Sequence, residues 1–197
     1  MTTIAILGQG NMGAGLAGRL AGKANILLGA RDPKAGQLSY ADAVAKAGIV
    51  VLAVPFDAAL QAAKTLDLGG KIVVDMTNPI TPDYSGLRLG HTTSAAEEIQ
   101  KAAPSAKVVK AFNTIFAGLF AAPVAETKGV PVFVAGNDEA AVAAVADLAT
   151  EAGFGVENAG SLDAARFIEP VGMLNIRFGY GLGKGTAIAP AWVKLAA

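Results

Sequence analysis

The 197-residue chain predicts an α/β fold, a Rossmann-type doubly wound parallel sheet with a C-terminal helical appendage, on three observations. Short β-rich apolar runs alternate with alanine-rich helical stretches. The strand runs are continuously apolar rather than alternating, which suits strands covered by helices on both faces. A glycine-rich turn, Gly8-Gln9-Gly10-Asn11-Met12-Gly13, stands between the first strand and the first helix.

The elements follow in order. Thr3–Leu7 is the first strand candidate and Met12–Ala21 the first helix, with Gly15 and Gly18 extending a thin face able to lie against the sheet. Strands are then expected at Asn25–Leu28, Ile49–Val54, Lys71–Asp75, Lys107–Lys110, Pro131–Ala135 and Gly155–Asn158, with helices at Tyr40–Ala47, Phe56–Thr65, Ala95–Ala102 and Asp138–Ala149. Ser94-Ala95-Ala96-Glu97 is a capping box that opens one helix. Asn137 is placed to cap another, and Gly153 to stop it. After Asn158 the alternation ends. A helix over Asp163–Tyr180, interrupted by Pro170 and Gly172, leads into the glycine-rich stretch Gly179–Gly185. The chain therefore divides into a dinucleotide-binding Rossmann domain, 1–160, and a C-terminal helical segment, 161–197, which is a candidate dimer and acceptor-site element.

Composition narrows the function. Hydrophobic residues make up 53% and charged residues 16%, a core-rich globular balance. Lys+Arg and Asp+Glu are both 16, so neither nucleic acid nor an anionic membrane surface is indicated as a partner. With no Cys, disulfides, thiolate metal sites and Cys nucleophiles are excluded, and one His, His91, excludes a multi-His metal cage. The N-terminus lacks a basic segment and cleavage site, and no apolar run is long enough to span a bilayer, so a cytoplasmic location is expected.

The turn carries the chemistry. Gly8 allows the tight bend, Gly10 lets backbone approach a pyrophosphate, and Gly13 permits close packing of helix on strand. The helix N-terminus offers Asn11 and Met12 amides and a partial positive charge to the phosphates, with Gln9 beside them. A nicotinamide dinucleotide is the expected cofactor. The second strand runs out at Ala30-Arg31-Asp32. An acidic residue there takes the ribose hydroxyls of NAD, whereas an Arg accommodates the 2′-phosphate of NADP. Small Ala30 and the fork of Arg31 favour NADP, and Asp32 keeps NAD open. Three further strand ends face the same edge: Ala53-Val54-Pro55-Phe56, an apolar wall for adenosine and ribose; Asp75-Met76-Thr77-Asn78-Pro79; and Lys110-Ala111-Phe112-Asn113-Thr114. Asn78, Asn113 and Thr114 suit the nicotinamide ribose or carboxamide, although turn capping is the commoner use of such residues.

The segments Gly8–Gly13, Gly29–Pro33, Asp75–Pro79, Ser94–Glu97 and Val109–Thr114, in this order, resemble the NADPH-dependent reductases of the deazaflavin coenzyme F420. The same module is similar to the cytosolic domain of the six-transmembrane metalloreductases and more distantly to the N-terminal domain of pyrroline-5-carboxylate reductase. The tail Ala165–Pro170 with Met173 fits as well. The resemblance implies an NADP-dependent oxidoreductase with direct hydride transfer between nicotinamide and a flavin-like ring, F420 or a flavin being the second substrate. Such chemistry needs orientation and enclosure more than an acid or base.

One departure stands out. Asp32 and Ile49 are 17 positions apart, shorter than the family's excursion, so the sheet is expected to be one strand narrower. That opens the acceptor to another flavin, or to a small imine or carbonyl. Imine or carbonyl reduction needs a proton donor, for which His91, Lys110 and Tyr180 are the candidates, His91 against its being an ordinary exposed loop residue. A non-catalytic NADP-binding redox sensor is the third alternative. The surplus of apolar residues in Phe167–Tyr180 (Ile168, Val171, Met173, Leu174, Ile176, Phe178) indicates a homodimer.

Overall fold

The computed structural model describes residues 1–193 and 195. Strands β1 (Thr3–Leu7), β2 (Asn25–Ala30), β3 (Leu38–Ser39), β4 (Ile49–Leu52), β5 (Ile72–Asp75), β6 (Lys107–Lys110), β7 (Pro131–Gly136) and β8 (Gly155–Asn158) form one sheet in the order β3-β2-β1-β4-β5-β6-β7-β8. Order reverses between β1 and β4, the switch point at which open α/β sheets bind ligands. Helices α1 (Asn11–Leu20) and α6 (Glu139–Glu151) cover one face. Helices α2 (Tyr40–Ala45), α3 (Phe56–Thr65) and α4 (Ala95–Ala102) cover the other, and a four-residue helix α5 (Val124–Thr127) and α7 (Ala165–Ile176) complete the chain.

Alternation along each strand builds the two cores. Ile4 and Ile6 of β1 join Leu16 and Leu20 of α1 and Val145 of α6, while Ala5 and Leu7 join Val44, Ala59 and Ile99 on the opposite side. Each such Val, Leu or Ile side chain contributes about 1.5–3 kcal/mol on leaving water. Both faces of β1 and β4 are covered, which explains why their sequences read as unbroken apolar runs.

Four expectations are corrected. The sheet is not wholly parallel: β7 runs antiparallel to β6, with Val109 opposite Gly136 and Lys110 opposite Ala135. The connection between β6 and β7, a 3₁₀ turn at Ala117–Phe120 and α5, lacks the long helix that usually carries a parallel crossover. The short excursion after Asp32 keeps a strand, because Leu38 and Ser39 pair parallel with Gly29 and Ala30. Asp138, not Asn137, caps α6, accepting from the Ala141 amide, while Asn137 Oδ1 accepts from the Leu162 amide. Finally, α7 runs unbroken through Pro170 and Gly172 before a π turn at Arg177–Gly181. Pro170 lies on the exposed side, where water can satisfy the Arg166 carbonyl that lacks its helical donor. The Ser94 box and the Gly153 stop are present, Gly153 with φ 88°. Among the described residues no helix is long and apolar enough to cross a membrane.

Candidate functional site

The carboxyl ends of β1, β4, β5 and β6 open into a cleft of about 370 Å³, roofed by α7 and the turn after it. Its first wall is the glycine turn. Gly8 has φ 98°, and a Cβ there would lie 2.4 Å from the Ala53 carbonyl oxygen. At Gly13 a Cβ would meet the Gly8 carbonyl oxygen at 2.1 Å. These two glycines are architectural and lie beneath the cleft. Gly10 differs: its φ of −67° is open to any residue, and among the described residues no atom beyond its own chain neighbours lies within 4 Å of where its Cβ would stand. Gly10 lines the cleft with Asn11 and Met12, and α1 begins there without a side-chain cap or an acidic residue in its first turn. Of the two glycines expected to thin α1 against the sheet, Gly15 faces the Phe120 ring instead, and Gly18 faces open space.

Beside the turn, Gln9 Nε2 donates to the Gly29 carbonyl at 3.4 Å, and Gln37 Nε2 donates to Gln9 Oε1, drawing the loop after β2 back to the glycines. Ala30 and Arg31 stand at the tip of β2, on the same sheet edge but outside the cleft. The Arg31 side chain is 89% exposed, with only the equally exposed Asp32 at 3.7 Å.

Ala53, Val54 and Pro55 line the cleft where β4 ends two residues earlier than expected. Asn78, Asn113 and Thr114 line it opposite. Asn78 Nδ2 donates to the Asn113 carbonyl at 2.8 Å, and Asn113 Nδ2 donates to Asn78 Oδ1 at 2.9 Å. Asn113 Oδ1 and Thr114 Oγ1 are buried without a hydrogen-bond partner among the described residues. Pro79 and Ala111 do not reach the cleft. Pro79 is buried, its carbonyl taken by the Arg88 amide, and Ala111 is fully buried in the core behind Asn113.

Several lining residues were not singled out from the sequence. Phe112 is fully buried with φ 63°, a left-handed conformation rare for an aromatic residue, and turns the chain into the cleft at the end of β6. Met76 and Phe116 add apolar wall. Helix α7 supplies Gly172, Asn175 and Ile176. A Cβ on Gly172 would stand 2.8 Å from Asn78 Oδ1 and 2.9 Å from the Asn113 carbonyl, so its lack of one lets α7 sit on the asparagine pair. The signal was a run of small and polar residues (Glu169, Gly172, Asn175) at helical spacing within an apolar segment.

Of the three proton-donor candidates, only Tyr180 lines the cleft, 70% exposed and edge-on to Phe116. Among the described residues that line the cleft it alone has an ionisable side chain. His91 is exposed in the loop before α4, away from the cleft. Lys110 is fully buried. Its Nζ donates to Asp75 Oδ2 at 2.7 Å and the Thr77 carbonyl at 2.6 Å, and pairs with Glu169 Oε1 at 2.8 Å. Burial alone would pull the Lys110 ammonium down, but the Asp75 and Glu169 carboxylates carry it above the usual lysine range. It is therefore no donor to a substrate. Burial, with Asp75 nearby, pushes Glu169 up against the pull of Lys110. No group of side chains fit to hold a metal ion occurs among the described residues.

The family model for coenzyme F420-dependent NADP oxidoreductases matches residues 3–79. An F420-dependent NADP reductase of Methanocaldococcus jannaschii is 30% identical, the match covering 94% of this chain and 96% of the relative. The metalloreductase STEAP3 of Rattus norvegicus is 32% identical over 85% of this chain, which spans 36% of that relative's length. A crystal structure from Arthrobacter sp. FB24, provisionally described as an F420-dependent NADP reductase, superposes with a TM-score of 0.80 at 34% identity, covering 94% of this chain and 97% of that one.

Proposed function

The chain belongs to the family of coenzyme F420-dependent NADP oxidoreductases, and from that premise we propose that it transfers a hydride between the nicotinamide of NADP and a flavin-type acceptor, F420 or another flavin. The observation that carries the coenzyme assignment is Gly10. Neither its backbone angle nor a described neighbour requires a glycine there, and unlike Gly18 it lines the cleft, which supports the approach of a ligand to its backbone. The uncapped start of α1 behind it holds amides suited to an anion.

Gly10, Asn11 and Met12 cradle the pyrophosphate, on a turn built by Gly8, Gln9 and Gly13. Ala30 leaves room for the 2′-phosphate and Arg31 forks onto it. Ala53, Val54 and Pro55 wall the adenosine side, and Asn78, Asn113 and Thr114 orient the nicotinamide ribose and carboxamide, whose polar atoms supply the partners Asn113 Oδ1 and Thr114 Oγ1 lack. Pro79 and Ala111 shape this wall from behind. When bound, the nicotinamide supplies or takes the hydride. The chain's part is to orient it and keep water away, with Met76, Phe112, Phe116 and Ile176 forming the apolar enclosure. In this reading residues 1–160 hold the coenzyme. Residues 161–197, of which 194, 196 and 197 lie outside the described residues, close the acceptor side and join two subunits in a homodimer.

A second reading rests on Tyr180, the one ionisable group in the cleft among the described residues: reduction of a small imine or carbonyl, with its hydroxyl as proton donor. Flavin turnover that survives Tyr180→Phe supports the first reading. Imine or carbonyl turnover that the substitution abolishes supports the second.

The coenzyme assignment is tested by calorimetric titration of NADPH and NADH into wild type and Arg31→Ala. Loss of a charged phosphate contact costs about 1.5–3 kcal/mol, or about one to two decades in affinity, for NADPH alone. Equal or tighter NADH binding, with no effect of Arg31→Ala, would assign selection to Asp32 and NAD.

A further inference from the structure

We propose that Lys110 and Glu169 are positioning residues for the nicotinamide end of the cleft, forming with Asp75 a buried charged strut that holds α7 and Asn78 in register with the sheet edge. The inference rests on the NADP assignment above.

The cluster is closed. Three acceptors surround the Lys110 ammonium, namely Asp75 Oδ2 at 2.7 Å, the Thr77 carbonyl at 2.6 Å and Glu169 Oε1 at 2.8 Å, so none of its protons is left over. Asp75 Oδ1 accepts from the Thr77 amide at 2.8 Å. Glu169 also takes the first amides of α4, from Ala95 at 3.0 Å and Ala96 at 3.3 Å. The three side chains are 0–1% exposed and touch no solvent, and they come from β5, β6 and α7.

A buried charged cluster is a poor device for stability alone. Burying charges is costly, and a well-packed apolar trio of similar volume is commonly as stable. Geometry does account for it. The ammonium grips the carbonyl of Thr77, and the next residue, Asn78, lines the cleft. One turn beyond Glu169, Gly172 rests on Asn78 and the Asn113 carbonyl. One turn further on, Asn175 Nδ2 donates to the Thr114 carbonyl at 3.0 Å. The strut therefore sets the height of α7 and the pitch of the Asn78–Asn113 pair together. Apolar packing tolerates sliding, whereas a three-way charged hydrogen bond has one geometry. The lysine that the sequence suggests as a proton donor acts instead through the residues it holds.

The test separates the two halves of the coenzyme. The probes are 2′,5′-ADP, which has no nicotinamide, and NADPH, titrated into wild type, Glu169→Gln and Gly172→Ala, with the emission of bound NADPH recorded. Glu169→Gln sets an amide N–H against the Lys110 ammonium or the α4 amides and shifts α7. Gly172→Ala keeps the strut but lifts α7 off the asparagines, so the proposal stays testable if the first variant fails to fold. Both variants that fold are expected to bind 2′,5′-ADP within about twofold of wild type, yet to lose about tenfold in NADPH affinity, with weakened emission enhancement. An unchanged NADPH to 2′,5′-ADP affinity ratio overturns the proposal. So does a parallel fall for both probes, which marks a merely structural role. Wild type that binds neither probe overturns the NADP assignment and this inference with it.

Discussion

Gly8 is glycine because of its positive φ and the Ala53 carbonyl, and Gly13 because the Gly8 carbonyl lies where its Cβ would stand; at Gly10 neither reason holds, and the proposed coenzyme supplies one. The distinction has measurable consequences. Gly13→Ala must open the turn against backbone, so it is expected to cost about 3 kcal/mol or more, read as a lower Tm. Gly18→Ala, on the same helix but facing open space, is expected to gain about 0.5–1 kcal/mol by the same measurement. The glycine turn was legible in the sequence because three glycines, a strand and a helix occur at fixed spacing. Gly172 was not: a lone glycine in an apolar helical segment reads as a break until the asparagines it rests on are known. Lys110 was legible as chemistry but not as role, since its first partner, Asp75, lies 35 positions away.

Helix α7 is the element that turns an open sheet edge into a cleft, and polar contacts seat it. Besides the buried strut, Arg166 grips Glu97 of α4 with both ends of its guanidinium, Nε to Oε2 at 2.9 Å and Nη2 to Oε1 at 2.6 Å. Arg166 holds the Glu97 carboxyl below the usual carboxylate range. A group depressed in the folded state stabilises above its unfolded pKa, near 4.5, and loses that contribution as pH falls through the folded value. Glu97→Gln is therefore expected to flatten the decline of Tm below about pH 4.5, at a cost near neutral pH of about 1 kcal/mol. An acid limb identical to wild type would show that the pair adds nothing. Element type was largely readable from apolar runs and caps. Strand direction was not, because β7 has the same apolar run whichever way it lies beside β6, and the direction follows from the connection between them. Two-residue β3 lies below what periodicity can register, so the shortened excursion read as a lost strand.

At the scale of the whole molecule, the two faces of the sheet are closed but one side of α7 is not. Phe167 is 73% exposed and Leu174 50%, with Phe178 continuing the same stripe. The proposed homodimer covers this stripe. Sedimentation of Leu174→Glu is expected to show monomers where wild type shows dimers, and identical sedimentation of the two would remove the stripe from the interface. In the proposed complex the carboxyl edge of the sheet holds NADP with its pyrophosphate against Gly10. Its most direct test is the titration of NADPH into Gly10→Ala beside wild type, with Tm recorded for both. Tm values that correspond to stabilities within about 1 kcal/mol are expected, since the new methyl meets no described atom beyond its chain neighbours, together with NADPH affinity lower by about tenfold or more. Undiminished NADPH binding by Gly10→Ala would contradict the proposed complex, because the space in front of Gly10 would then not be where the coenzyme lies.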